Sequence, residues 1–166
     1  MSRRDQIKMS EQEVASFLQE ERTVTCATAG PRGWPHLMPL WFVLRSPADG
    51  PGPRIWAWTY ASSQKVLNLE RDTRATLQVE AGEQYQELRG VMLECDVRVH
   101  RDIECVGALG HEIFRRYASP RGEPSVDALA PEVAAMVDKQ AAKRVAMEFV
   151  ERRRATWDHR KLAGVY

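Results

Sequence analysis

Arg54-Ile55-Trp56-Ala57-Trp58-Thr59-Tyr60, followed after Ala61 by Ser62-Ser63-Gln64-Lys65-Val66-Leu67-Asn68-Leu69-Glu70-Arg71-Asp72, is the stretch that decides how this chain is read. The first run is aromatic and β-favouring and predicts a strand. The second opens on serines suited to capping and keeps Val66 and Leu69 at helical spacing, which predicts a short helix over about 64–72. The first N–H groups of a helix lack internal partners and carry partial positive charge, and Lys65 adds a full charge in the first turn. Such a junction suits a phosphate. Serine caps and first-turn lysines also open many helices that bind nothing, so the residues themselves leave the anion site and the ordinary cap both standing.

Working outward, Ser10 and Glu13 have capping-box spacing ahead of Val14, Phe17 and Leu18, which predicts a helix over about 10–20 covering one end of a barrel or sheet. Thr23 to Thr28 reads as a strand and Ala29 to Gly33 as its turn. The next run, His36-Leu37-Met38-Pro39-Leu40-Trp41-Phe42-Val43-Leu44, is apolar at both alternating sets of positions, so one strand covered on both faces is expected. Pro39 removes a backbone donor in its middle and points to an edge, a bulge or a place where a ligand replaces a neighbouring strand. Ser46 to Pro53 is a loop dense in turn formers.

Downstream, Arg74 to Glu80 alternates, and Val91 to His100 does so more strictly, while Ala81 to Gly90 is polar enough for a bend or the start of the long strand. Asp102 caps a predicted helix over about 102–118 that ends before Pro120-Arg121-Gly122, and Pro131 opens another over about 131–142. The last strand carries Val145, Met147 and Phe149 on one face. With strands confined to 23–100 and 143–157, the pattern fits a mainly β fold with flanking helices (α+β), a small barrel of antiparallel strands in one domain spanning 1–166.

Lys+Arg 24 against Asp+Glu 23 leaves a net charge of +1, so no global field draws the chain to nucleic acid or acidic membrane. Arg152-Arg153-Arg154 reads as a solvated strand end rather than a nucleic-acid contact. No apolar run reaches the roughly 18 residues of a membrane helix, and the N-terminus lacks a signal-peptide core, so a cytoplasmic protein is expected. Cys26, Cys95 and Cys105 lack metal spacing and read as reduced structural thiols. His36, His100, His111 and His159 are not paired for a metal, Asp158-His159 is not a catalytic dyad, and Gly30 to Gly33 is a turn, not a dinucleotide fingerprint.

The tryptophans Trp41, Trp56, Trp58 and Trp157 fall in or beside strands, where they pack a core, line a cavity or cover a subunit interface. An aromatic strand, a proline-broken apolar strand and an anion-ready helix start together offer a surface for a flat ring and a grip for its phosphate. The chain resembles the flavin- and deazaflavin-binding split β-barrel proteins related to pyridoxamine 5′-phosphate oxidase. The resemblance rests on Pro35 to Phe42, on Ser63 to Ala75, and on Tyr85 with Glu87-Leu88-Arg89-Gly90.

The resemblance implies a split barrel that pairs as a homodimer, with cofactor sites at the subunit interface. It implies that Ser62, Ser63, Gln64 and Lys65 hold the cofactor phosphate and that Met38, Pro39, Leu40 and Trp41 lie along the ring. Thr59 and Asn68 would line or support that site, and Tyr85, Arg89 and Trp157 would approach it from either protomer. Ser-Gln-Lys followed by Asn looks most like the branch using the deazaflavin coenzyme F420. Ser63 and Leu67 stand where some such relatives carry basic residues for the oligoglutamyl tail, which keeps FMN as the alternative. The implied activity is hydride transfer between the cofactor and an unsaturated small molecule, without metal, with a non-catalytic flavin, deazaflavin or tetrapyrrole carrier as the competing reading.

Overall fold

The computed structural model describes residues 2–50, 52–121 and 123–162; Pro51 of the turn-rich loop, Gly122 of the Pro120-Arg121-Gly122 break and residues 163–166 of the expected domain lie outside the described residues. Seven strands, β1 (Val24–Ala29), β2 (Pro35–Leu40), β3 (Val43–Arg45), β4 (Arg54–Tyr60), β5 (Arg74–Ala81), β6 (Arg89–His100) and β7 (Arg144–Asp158), form one sheet in the order β2-β1-β5-β6-β7-β4-β3. Every neighbouring pair is antiparallel. Helices α1 (Arg3–Gln6), α2 (Glu11–Glu20), α3 (Gln64–Arg71), α4 (Ile103–Ala118) and α5 (Pro131–Ala141) flank it.

The sheet curls because the alternating apolar residues of distant strands must share one interior. Cys26 of β1, Ile55 and Ala57 of β4, Leu77 of β5, Leu93 of β6 and Met147 of β7 belong to a single buried cluster. Phe17 and Leu18 of α2 and Leu69 of α3 complete it, so the helix capped by Ser10 does cover the barrel. On the outer face of β4 and β7, Trp58 and Ala146 pack against Val106, Leu109 and Ile113 of α4 and Val137 of α5. The edges β2 and β3 follow one another in the chain yet do not pair, so the barrel is open along that seam.

One expected strand is therefore two. The run from His36 to Leu44 breaks at Trp41 and Phe42, and the break is made by α4. The Phe42 N–H donates to the Tyr117 hydroxyl at 2.9 Å, Arg116 donates to the Phe42 carbonyl at 2.5 Å, and Trp41 stacks on Tyr117 with centroids 4.3 Å apart. Side chains some 75 residues away thus take the hydrogen bonds a continuous strand would have used. Pro39 sits on an edge, as a missing donor requires. The expected cover over both faces of this run is not found within the chain: Leu37 is 57% and Met38 41% exposed.

β7 outruns its apolar pattern because a register irregularity between Glu94 and Cys95 of β6 puts polar residues over α2. Beyond it, the Met9 N–H donates to the Thr156 hydroxyl, and Arg154 pairs with Glu11 and Glu151. Arg152 pairs with Asp96 and Arg153 approaches Glu94, so each of the three arginines already faces a carboxylate. Trp157 lies over Gly90, where an added Cβ would stand 2.2 Å from its ring. Gly90→Ala is expected to cost about 1–3 kcal/mol by overpacking. Urea unfolding checks this: the midpoint should fall with an unchanged slope, and an unmoved midpoint would contradict the packing.

Candidate functional site

β4 delivers the chain to the start of α3 through a short, tightly held turn. The Ser63 N–H donates to the Tyr60 carbonyl at 3.0 Å, and the Ala61 N–H donates to the Lys143 carbonyl at 3.0 Å, which ties the turn to β7. Ser63 is the N-cap by backbone geometry, but its side chain accepts no hydrogen bond from the helix. The expected serine cap is therefore absent. The Ser63 hydroxyl instead accepts from Thr59 at 3.4 Å, and Ser62 lies in the exposed turn. Val66 and Leu67 donate to the Ser63 carbonyl, and no side chain caps the Gln64 and Lys65 N–H groups that precede them. A helix start in this state presents donors and positive potential to whatever approaches it.

Lys65 is only 6% exposed, and its Nζ donates to the Thr59 hydroxyl at 2.9 Å. Among the described residues no carboxylate pairs with it. Burial pushes its ammonium pKa down, the neighbouring Cys26 opposes that, and the Arg144 charge adds to it. Cys26 offers no counter-ion near neutrality, because burial pushes its thiol up to about 12. A buried ammonium without an anion is unfavourable in a folded chain, which makes Lys65 the candidate functional residue of this junction.

The other residues expected at the site divide between supports and a distant set. Asn68 is fully buried and held at both ends of its amide: it donates to the Thr28 hydroxyl at 3.0 Å and accepts from Gln64 and Arg71 at 2.8 Å each. It braces α3 against β1 and leaves Gln64 exposed beside the helix start. Met38 stands opposite Cys26 in the β1–β2 register, and His36 stands opposite Thr28, so both line the seam on the α3 side. Leu40 and Trp41 lie toward the other end, beside Val24 and Tyr117, while Pro39 sits opposite Thr25.

Tyr85 lies in a 3₁₀ turn past the far end of β5, with its ring 4.6 Å from His159. One chain does not bring it to Lys65. Arg89 is engaged with Glu20 and stacked over Phe17, and Trp157 covers Gly90, so neither reaches the helix start in its own chain.

Two residues escaped the sequence. Arg144 faces Tyr60 across β4 and β7, its guanidinium rests on the rings of Trp58 and Tyr60 at 4.5 and 4.1 Å, and its buried Nε has no acceptor. His36 likewise has a buried Nδ1 without a partner. No local pattern marks either, since both follow from strand register. A surface cleft of about 520 Å³ over β1, β5 and β6 does not include Lys65, and its Asp72–Arg74 and Arg152–Asp96 charges are already paired. Among the described residues no cluster of His, Cys, Asp or Glu suits a metal, and no helix is long and apolar enough to cross a membrane.

The elements that build this site, from the Ser10 cap into β7, are also those that match a known family: residues 10–148 fit the family model of pyridoxamine 5′-phosphate oxidase. The chain belongs to that family. Its curled, seam-split sheet with flanking helices is the family's split barrel. A conserved hypothetical protein from Mycobacterium tuberculosis shares it at 38% identity and a TM-score of 0.82, over 100% of this chain and 95% of that one. An F420 reductase shares the fold at 20% identity and a TM-score of 0.59, with 84% of this chain and 94% of that one covered. A haem storage protein from Vibrio cholerae does so at 16% and 0.61, over 86% and 90%. No curated protein matches the sequence.

Proposed function

We propose that the chain is an oxidoreductase that holds the phosphate of coenzyme F420 at the start of α3 and passes a hydride between the deazaflavin and an unsaturated small molecule. The observation that carries this is Lys65, buried without a carboxylate, beside a helix start that no side chain caps. A cofactor phosphate fits both: it supplies the missing anion and accepts from the free N–H groups. Thr59 fixes the ammonium, Asn68 fixes the helix, and the apolar residues of β2 offer a ring an apolar surface. When bound, the cofactor carries the hydride chemistry, and the chain orients it and excludes water.

The deazaflavin is favoured by the Ser63-Gln64-Lys65 and Asn68 pattern and by the presence of an F420 reductase among proteins of this fold. FMN remains the second reading because Leu67, 44% exposed, and Ser63 give an oligoglutamyl tail no charge to grip. A homodimer belongs to the same reading: Leu37 and Met38 of β2, with Trp34 in the turn before it, form an exposed apolar edge that a second copy would cover. Titration with F420 and with FMN, then substrate-dependent oxidation of the reduced cofactor, tests the proposal. Binding without turnover of any unsaturated substrate would instead make the protein a carrier.

The buried ammonium also fixes a pH dependence. An unfolded lysine keeps its proton to about 10.5, whereas the folded Lys65 releases it earlier. Between those two points the unfolded chain binds more protons, so the contribution of Lys65 to cofactor-free stability rises with pH. Below the folded pKa both states are protonated and the burial cost is felt in full. Phosphate affinity should move the opposite way, falling as rising pH strips the Lys65 proton below the ordinary lysine value of 10.5. Differential melts and titrations of the wild type against Lys65→Met should show both trends in the wild type and lose the Lys65-dependent part in the variant.

A further inference from the structure

Lys65 is not the only cation at the helix start that lacks an anion. Arg144 opens β7 directly opposite Tyr60, three residues before the Ser63 N-cap. Its neighbour Lys143 accepts the Ala61 N–H, which holds the turn between the two cations in place. The guanidinium is clamped over the rings of Trp58 and Tyr60, so it is pre-oriented and cannot swing away without losing both contacts. Among the described residues no carboxylate pairs with it, and its buried Nε donates to nothing. Buried side-chain donors are normally paired within the protein, so this Nε is an exception that calls for a reason. Here two like charges are held close enough for Arg144 to disfavour the charged form of Lys65. That arrangement costs free energy unless an anion joins them.

We infer that Arg144 is the second cation of the phosphate grip, and that Lys65 and Arg144 together select phosphorylated ring cofactors over the same rings without phosphate. The inference rests on the phosphate site proposed above and adds a residue and a specificity to it. The lysine offers the phosphate a compact point charge held by Thr59, while the arginine presents a planar fork fixed over Trp58 and Tyr60. A ring lacking the phosphate would leave both cations unpaired, which penalises it beyond the loss of contacts.

The test uses two ligand pairs on the intact protein: FMN against riboflavin, and F420 against its phosphate-free deazariboflavin core. Arg144→Met keeps the stem on the aromatic rings and removes the charge. It is expected to weaken the phosphorylated member of the bound pair about tenfold or more and to leave the phosphate-free member unchanged. Arg144→Lys should keep part of the preference, and it serves as the variant if Arg144→Met does not fold. Equal loss for both members would make Arg144 a packing residue and overturn the inference. So would unchanged discrimination in Arg144→Met while Lys65→Met loses it, an outcome that leaves the phosphate site itself intact. A wild type that does not prefer the phosphorylated member of either pair would overturn the site and the inference together.

Discussion

Lys65→Met should weaken cofactor binding by roughly 30- to 700-fold, the equivalent of about 2–4 kcal/mol for truncating one side of a desolvated charge pair. The same substitution should raise the stability of the cofactor-free protein. Lys65 is buried against Thr59 with its charge unanswered, and methionine fills a similar volume without that charge. Replacing buried charge by well-packed apolar groups is often stabilising, here by about 1–2 kcal/mol, or a melting temperature higher by about 3–6 °C. The opposite signs are what separate a binding residue from a structural one. If Lys65 served only to cap or brace α3, the variant would melt lower and bind as before. Calorimetric melts of the free protein, with fluorescence titration of F420 and FMN, decide between the two.

Arg116→Ala should lower stability by about 3 kcal/mol, or the melting temperature by about 6–12 °C. Arg116 is buried, and its guanidinium donates to the carbonyls of Leu18, Gln19 and Glu21 at the end of α2 and to that of Phe42 at the break between β2 and β3. It also lies over the Phe42 ring at 4.5 Å. One side chain thus closes the C-terminus of the helix that covers the barrel and fixes the corner that opens the seam. Arg116→Met, which keeps apolar packing but makes none of these bonds, should recover only a small part of the loss. If methionine restored wild-type stability, packing and not hydrogen bonding would be the reason Arg116 is there. Because the corner positions β2 beside α3, Arg116→Ala should also reduce cofactor affinity, though less than Lys65→Met does.

The strands and helices were legible where the pattern is local. Val91 to Val99 alternates because every second side chain enters one core, and Asp102 marks the start of α4 because its carboxylate caps Cys105, a bond made within one turn. The run from His36 to Leu44 misled for the same reason in reverse. Its apolar residues do read as one strand, but Tyr117 and Arg116 claim the backbone of Phe42 from the far side of the chain. The serine cap misled too: Ser63 has the right residue type and backbone, yet its hydroxyl turned to Thr59, which β4 places beside it. At the site, Lys65 could be named from the helix start and Asn68 from the family resemblance, but their different duties could not. Asn68 is held by Thr28, Gln64 and Arg71, and Lys65 is left without a carboxylate partner.

The sequence by itself determined most of the strands and helices, the aromatic strand running into a short helix, and the resemblance to the family that the chain matches. These are written in spacing, capping types and alternation, which act over a few residues. The tertiary structure alone decided that Lys65 is buried without a carboxylate partner, that Arg144 stands opposite Tyr60 at the start of β7, and that the barrel stays open between β2 and β3. Burial and the absence of a partner are properties of the space around a side chain. That space is set by strand register and helix packing between residues far apart in the chain, so no local pattern carries it.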